Sequence, residues 1–175
     1  MNDTDNKKEP GQKKYYTSQD VVTFLGISRH KLIYWTDRAG LVEPYLRLAN
    51  TNLYDFRNLL DLTLVKSLSS AGISTSKIAM LFKAKPENKG VKMWDAYKKN
   101  LEVDKTLRQL IYIVISGGLL FYFLAMQGKA SEDFHILTHA PKNKTKTQGV
   151  EITLLITIPA YEIVEKVEEF TKGKL

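Results

Sequence analysis

The chain has 175 residues, 43% of them apolar, enough for a packed core in one domain or two small ones and too many for a disordered protein. Lys and Arg number 26 against 19 Asp and Glu, a net charge of +7 that suits an anionic partner such as nucleic acid or a membrane surface. There is no cysteine, which excludes disulfides, thiolate metal sites and thiol switches within the chain and fits a reducing cytosol.

The charge is uneven. Residues 15–83 hold 8 Lys or Arg against 5 Asp or Glu, whereas residues 150–175 hold 3 against 5. Residues 1–14, MNDTDNKKEPGQKK, are polar throughout; they lack the apolar centre of a secretory signal and predict a disordered tail. Tyr15 and Tyr16 follow, and one of them is expected to staple the first helix.

Thr17 is a good helix N-cap, with Asp20 placed to reach back to it as in a capping box. Val21, Val22, Phe24 and Leu25 give this helix an apolar side. Gly26 stands where the helix must stop and a positive φ is useful. Ser28 then caps a second helix whose first turn carries Arg29, His30 and Lys31. Leu32, Trp35 and Ala39 recur at helical spacing and should face inward, leaving Arg29, His30, Ile33 and Tyr34 on the outer side. A short helix, a glycine turn and a second helix with a basic start is the helix-turn-helix pattern. An ordinary helix pair with a solvated basic end has the same signature.

Gly40 ends the second helix and Pro44 prevents its restart. Tyr45–Leu53 alternates around Ala49-Asn50-Thr51, which predicts a hairpin with Asn50 in its turn and Arg47 and Asn52 on its flanks. Such a hairpin is either a wing that lies along a phosphate backbone or an irregular surface loop. Tyr54–Ala71 predicts a longer helix with Leu59, Leu60, Leu62, Leu64, Val65 and Leu68 buried. Gly72 ends it, and Ser74 caps a further helix with Ile78, Leu81 and Phe82 on one side.

Residues 15–83 resemble the winged-helix DNA-binding domain of the MerR family of bacterial transcription regulators. YTSQDVVTFLGIS is similar to the family's first helix and turn, SRHKLIYWTDRAGLVEP to its recognition helix and exit, and LYDFRNLLDLTLVKSLSSAGISTSKIAMLF to its wing tyrosine, long helix and last capped helix. The resemblance covers about two-fifths of the chain. It implies that Thr17 caps the first helix beside a phosphate, that Ser28, Arg29, His30 and Lys31 enter the major groove, and that Tyr34 contacts backbone. It also implies that Arg38, Arg47, Asn50 and Tyr54 belong to the DNA-binding set, with the wing residues gripping a flanking phosphate. Double-stranded DNA is the implied partner, bound by a homodimer across an inverted repeat, often with distortion of the promoter. The implied setting is the cytoplasm, in association with the nucleoid.

Two positions depart from the family. Ile33 and Asn52 stand where relatives usually carry arginine, which removes about two phosphate contacts and should flatten the salt dependence by about two counterions. DNA binding is then weaker, differently placed, or dependent on the C-terminal part. Relatives also continue into a long dimerising coiled coil, and no sustained heptad pattern follows here.

KAKPENKGVK, residues 83–92, reads as a linker. Met93, Trp94, Tyr97 and Leu101 share a helical face that predicts a short amphipathic helix docked on the first domain or on a partner copy. Leu110–Met126 is the most hydrophobic run and reads either as a membrane helix or as two strands turning at Ser116-Gly117-Gly118. Its β-branched first half, aromatic second half and central Gly-Gly favour strands. Residues 127–149 are polar and mostly loop, with a short strand at Phe134–Thr138 and a basic, solvent-facing KNKTKT segment. Val150–Ile158 predicts a strand broken by Pro159. Tyr161–Thr171 predicts a helix with Ile163, Val164, Val167 and Phe170 inward and Glu162, Glu165, Glu168 and Glu169 outward.

His135 and His139 lie four apart but beside Pro141, with no third ligand nearby, so no metal is expected. No phosphate loop, nucleophile elbow or metalloprotease motif is present, and neither an enzyme nor a cofactor is expected. The expected fold class is α+β. It divides into a tail at 1–14, a winged helix-turn-helix domain at 15–83, a linker and amphipathic helix at 84–106, and a small antiparallel sheet with a covering helix at 107–175. The last part is assigned to dimerisation or to an effector, a small molecule or a protein of open identity. The expected function is a sequence-specific transcription regulator. The alternatives are a chromosome-organising or recombination accessory binder, a membrane-tethered protein, and a winged helix that has turned to protein partners.

Overall fold

The computed structural model describes residues 15–49, 51–83, 94–95, 97–98, 102, 108–116, 119–127, 134–137 and 152–173. In chain order the elements are β1 (Tyr16–Thr17), α1 (Ser18–Leu25), α2 (Arg29–Ile33) with a π-helical continuation (Tyr34–Arg38), β2 (Leu46–Leu48), β3 (Thr51–Tyr54), α3 (Phe56–Ser70) and α4 (Thr75–Lys83). Then follow β4 (Arg108–Ser116), β5 (Leu119–Gln127), β6 (Phe134–Leu137), β7 (Ile152–Pro159) and α5 (Ala160–Thr171). The chain is α+β, as its patterning predicts.

The local signals at the start act as read. The Thr17 backbone N–H donates to Asp20 Oδ2 at 2.7 Å and the Asp20 N–H donates to Thr17 Oγ1 at 3.3 Å, closing the capping box of α1. Gly26 terminates α1 at φ 59°, a left-handed conformation that a side chain resists. Ser28 Oγ accepts from the Lys31 N–H at 3.2 Å and caps α2. Beyond Ile33 the helix widens: Ala39 N–H donates to the Tyr34 carbonyl and Leu41 N–H to the Trp35 carbonyl, both at 2.8 Å. This π turn is outside the reach of periodicity, because Leu32 and Trp35 face inward in either geometry.

The hairpin pairs Leu46 with Leu53, Arg47 with Asn52 and Leu48 with Thr51. Its second strand also pairs with β1, Tyr16 opposite Tyr54 and Thr17 opposite Leu53, giving a three-stranded antiparallel sheet in the order β1-β3-β2. Two residues carry no period, so β1 left no trace in the sequence pattern. Tyr54, expected to open the long helix, instead closes β3. The helix starts at Phe56 because Asp55 and Asn58 form a second capping box, Asn58 N–H to Asp55 Oδ1 at 2.8 Å and Asp55 N–H to Asn58 Oδ1 at 3.3 Å. Asn58 is buried and also accepts from Tyr45 N–H at 2.8 Å and donates to the Glu43 carbonyl at 2.9 Å. One side chain thus fastens the approach to the hairpin onto α3.

Leu25, Leu32, Trp35, Tyr54, Leu59, Leu62, Leu68 and Ile78 are the large, fully buried side chains of this half. Trp94 and Tyr97, both buried, join them from a helical segment: the indole Nε1–H donates to Asp61 Oδ1 on α3 at 2.7 Å, and the two rings meet edge-on at 6.2 Å. This is the docking that the Trp-Tyr stripe predicts. Met93, Leu101, the 84–92 linker, the 1–14 tail and the KNKTKT segment lie outside the described residues.

Residues 110–116 and 119–126 lie in two strands, and Gly117 and Gly118 of the expected turn lie outside the described residues. β4 and β5 pair from Arg108–Gln127 to Ser116–Leu119, and the four-stranded antiparallel sheet has the order β6-β5-β4-β7. Among the described residues no helix is long and apolar enough to cross a membrane. His135 lies in β6 and His139 outside the described residues. Pro159 ends β7 and stands as N-cap of α5.

On α5, Ile163 and Val167 are buried in one continuous core with Ile111 and Ile158, while Glu162, Glu165 and Glu169 are exposed. The patterning predicts a helix that covers the sheet. The structure adds a second contact: Phe170 stacks on Phe24 of α1 at 4.4 Å and lies 5.4 Å from the Tyr16 ring. Aromatic pairing of this kind adds to simple burial.

The same packing sets a pH response. Burial pushes the Tyr97 phenol up to about 12, with the Glu165 and Glu168 charges acting in the same direction. An unfolded tyrosine ionises near 10. Between these values the unfolded chain loses its proton first, so stability falls as pH rises through the window and is unaffected below it. Urea unfolding of wild type should lose on the order of 2 kcal/mol to this group between pH 9.5 and 12. Tyr97→Phe should show a correspondingly flatter profile, and equal slopes would refute the assignment.

Candidate nucleic-acid interface

The expected reading end of α2 is open. Ser28, Arg29, His30 and Lys31 are all exposed. Lys31 lays its stem back so that Nζ sits 5.0 Å from the Trp35 ring centre. Trp35 is itself 1% exposed and anchors the helix from beneath. Ile33 and Tyr34 follow on the outer side at 40% and 43% exposure, and Arg38 is exposed beyond them.

The wing stands next to this helix and is tied to it. Arg47 Nη1 bonds Asp37 Oδ1 at 2.7 Å, and Nη2 reaches the Thr36 carbonyl at 3.5 Å. Asp37 Oδ1 also accepts from Thr36 Oγ1 at 3.2 Å, and that buried hydroxyl approaches the Leu32 carbonyl at 3.1 Å. The exposed pair contributes little stability by itself, but it fixes the direction of the hairpin relative to α2. Arg47 therefore has a protein partner that sequence reading missed; the only trace was an acid and a base ten residues apart.

Thr17 is half-buried, and its hydroxyl and N–H are both engaged with Asp20. Asn50 lies outside the described residues, and Asn52 is half-buried opposite Arg47. Tyr54, the remaining member of the expected contact set, is buried. At 1% exposure it belongs to the core, at the end of β3 opposite Tyr16. On α3, Lys66 donates its ammonium to the Leu25 carbonyl at the end of α1, satisfying a helix terminus just before the glycine turn.

Among the described residues no group of three or more His, Asp or Glu is arranged to hold a metal ion. A capped helix, a left-handed glycine turn, a second helix with a basic exposed start and a hairpin braced alongside define a winged helix-turn-helix domain, the class that sets its second helix against duplex DNA. Residues 16–85, two-fifths of the chain, match the family described as MerR HTH family regulatory protein. No curated protein matches the chain.

Proposed function

We propose that this protein binds an inverted-repeat DNA site as a homodimer and regulates transcription there. Arg29 and Lys31 meet base edges or their flanking phosphates, with Ser28 and His30 beside them. Thr17, Tyr34, Arg38 and the wing, through Arg47 and Asn50, position the backbone. Arginine pairs bidentately with guanine, whereas lysine, tyrosine and backbone amides hold phosphates. The observation that carries the reading is the exposure of Ser28–Lys31 beside a wing braced by Arg47 and Asp37. The setting is the cytoplasm, on the nucleoid, and the C-terminal sheet serves dimerisation, an effector, or both.

Selection of bound duplexes from a random pool, repeated across salt, tests this. The expected product is a palindromic motif with fixed half-site spacing. Retention of DNA without an enriched motif would point to a chromosome-organising binder, and no retention at low salt would overturn DNA binding altogether.

A further inference from the structure

Three lysines from three separate elements converge around the end of α1. Lys66 of α3 is bonded to the Leu25 carbonyl. Lys166 of α5 holds its Nζ 5.9 Å from the Phe24 ring centre, the same ring on which Phe170 stacks. Lys31 of α2 lies over Trp35, one turn further on. Among the described residues the ion pairs are Arg47–Asp37, Arg57–Asp95 and Lys172–Glu168, so none of the three lysines has a carboxylate at salt-bridge distance.

Among the described residues no acid of α5 stands at salt-bridge distance from them. Glu165 and Glu168 act on Tyr97, Glu168 also holds Lys172, and Glu162 accepts from the Tyr161 hydroxyl at 3.2 Å. The Lys66 ammonium is held below the usual lysine range, chiefly by burial and then by the charges of Lys166 and Lys31. Like charges gathered on a partly desolvated surface raise one another's cost, and an anion placed among them relieves it.

We propose that Lys66 and Lys166 form, with Lys31, a second phosphate-binding position beside the recognition helix, so that the C-terminal helix takes part in holding DNA. This rests on the DNA-binding reading above. The position is continuous with the exposed start of α2 through Lys31, which directs it to the duplex backbone flanking the bases that α2 reads. It also answers the two departures at Ile33 and Asn52. Two cations missing from the recognition helix and wing are replaced by two from α3 and α5, and the salt dependence is restored.

The test measures DNA affinity of the full chain against salt for wild type, Lys166→Gln, Lys166→Arg and Lys172→Gln. A lost phosphate contact lowers the slope of log affinity against log salt by about 0.9. Lys166→Gln should show that loss with an unchanged selected motif, and Lys166→Arg should recover the slope. Lys172→Gln, at the C-cap of the same helix but paired with Glu168, should match wild type. A wild-type slope in Lys166→Gln overturns the proposal while leaving DNA binding intact. Absence of DNA binding by wild type overturns both, so the two failures are told apart.

Discussion

Trp35→Ala is expected to remove about 3–5 kcal/mol of stability, a large part of the roughly 5–15 kcal/mol that holds a folded chain together. Trp35 is 1% exposed and sits in the π turn that joins the recognition helix to the wing. It packs in one core with Leu25, Leu32 and Leu59, and its face also carries the Lys31 ammonium. Truncation leaves a cavity directly beneath the reading surface and frees Lys31. Chemical unfolding of wild type, Trp35→Phe and Trp35→Ala measures the effect. Phe should cost clearly less than Ala. A loss below about 1 kcal/mol in Ala would mean that the turn collapses to refill the space and that the indole is not its anchor.

Arg29→Ala has the largest effect expected on binding, about 1–3 kcal/mol, or roughly 5- to 150-fold in Kd, if the guanidinium reads a base. The side chain is exposed and takes part in none of the ion pairs among described residues, so stability should change by no more than about 0.5 kcal/mol. Competition with single-position variants of the selected duplex separates two roles. A base contact relaxes preference at one position, whereas a phosphate contact weakens all sequences alike and lowers the salt slope by about 1. If neither Arg29→Ala nor Lys31→Ala changes binding, the recognition helix is wrongly placed.

Most of the N-terminal half was legible because its signals are local. Caps at Thr17 and Ser28, the stops at Gly26 and Gly40, and the leucine stripe of α3 act within one turn of where they stand. The split of residues 110–126 into strands was legible for a similar reason, since Gly-Gly punctuates two runs of strand length. What escaped depends on separation in sequence. β1 exists only because β3 lies beside it. Arg47 is committed to Asp37 by the fold of the hairpin, and Tyr54 is withdrawn from the surface by the same sheet. Phe170 was read as an inward residue, yet nothing near it in sequence says that its partners are Phe24 and Tyr16, some 150 residues away. Lys66 and Lys166 share that difficulty: each looks like an isolated cation until the helices are assembled.

The stacking of Phe170 on Phe24 has a consequence for synthesis. α5 is the last of the described elements to leave the ribosome, so during translation the nascent helix-turn-helix lacks the Phe170 ring that caps Phe24 and flanks Tyr16. Until α5 emerges, that apolar spot is open to chaperones or to neighbouring nascent chains, and a fragment cut before Ala160 would carry the same bare spot permanently.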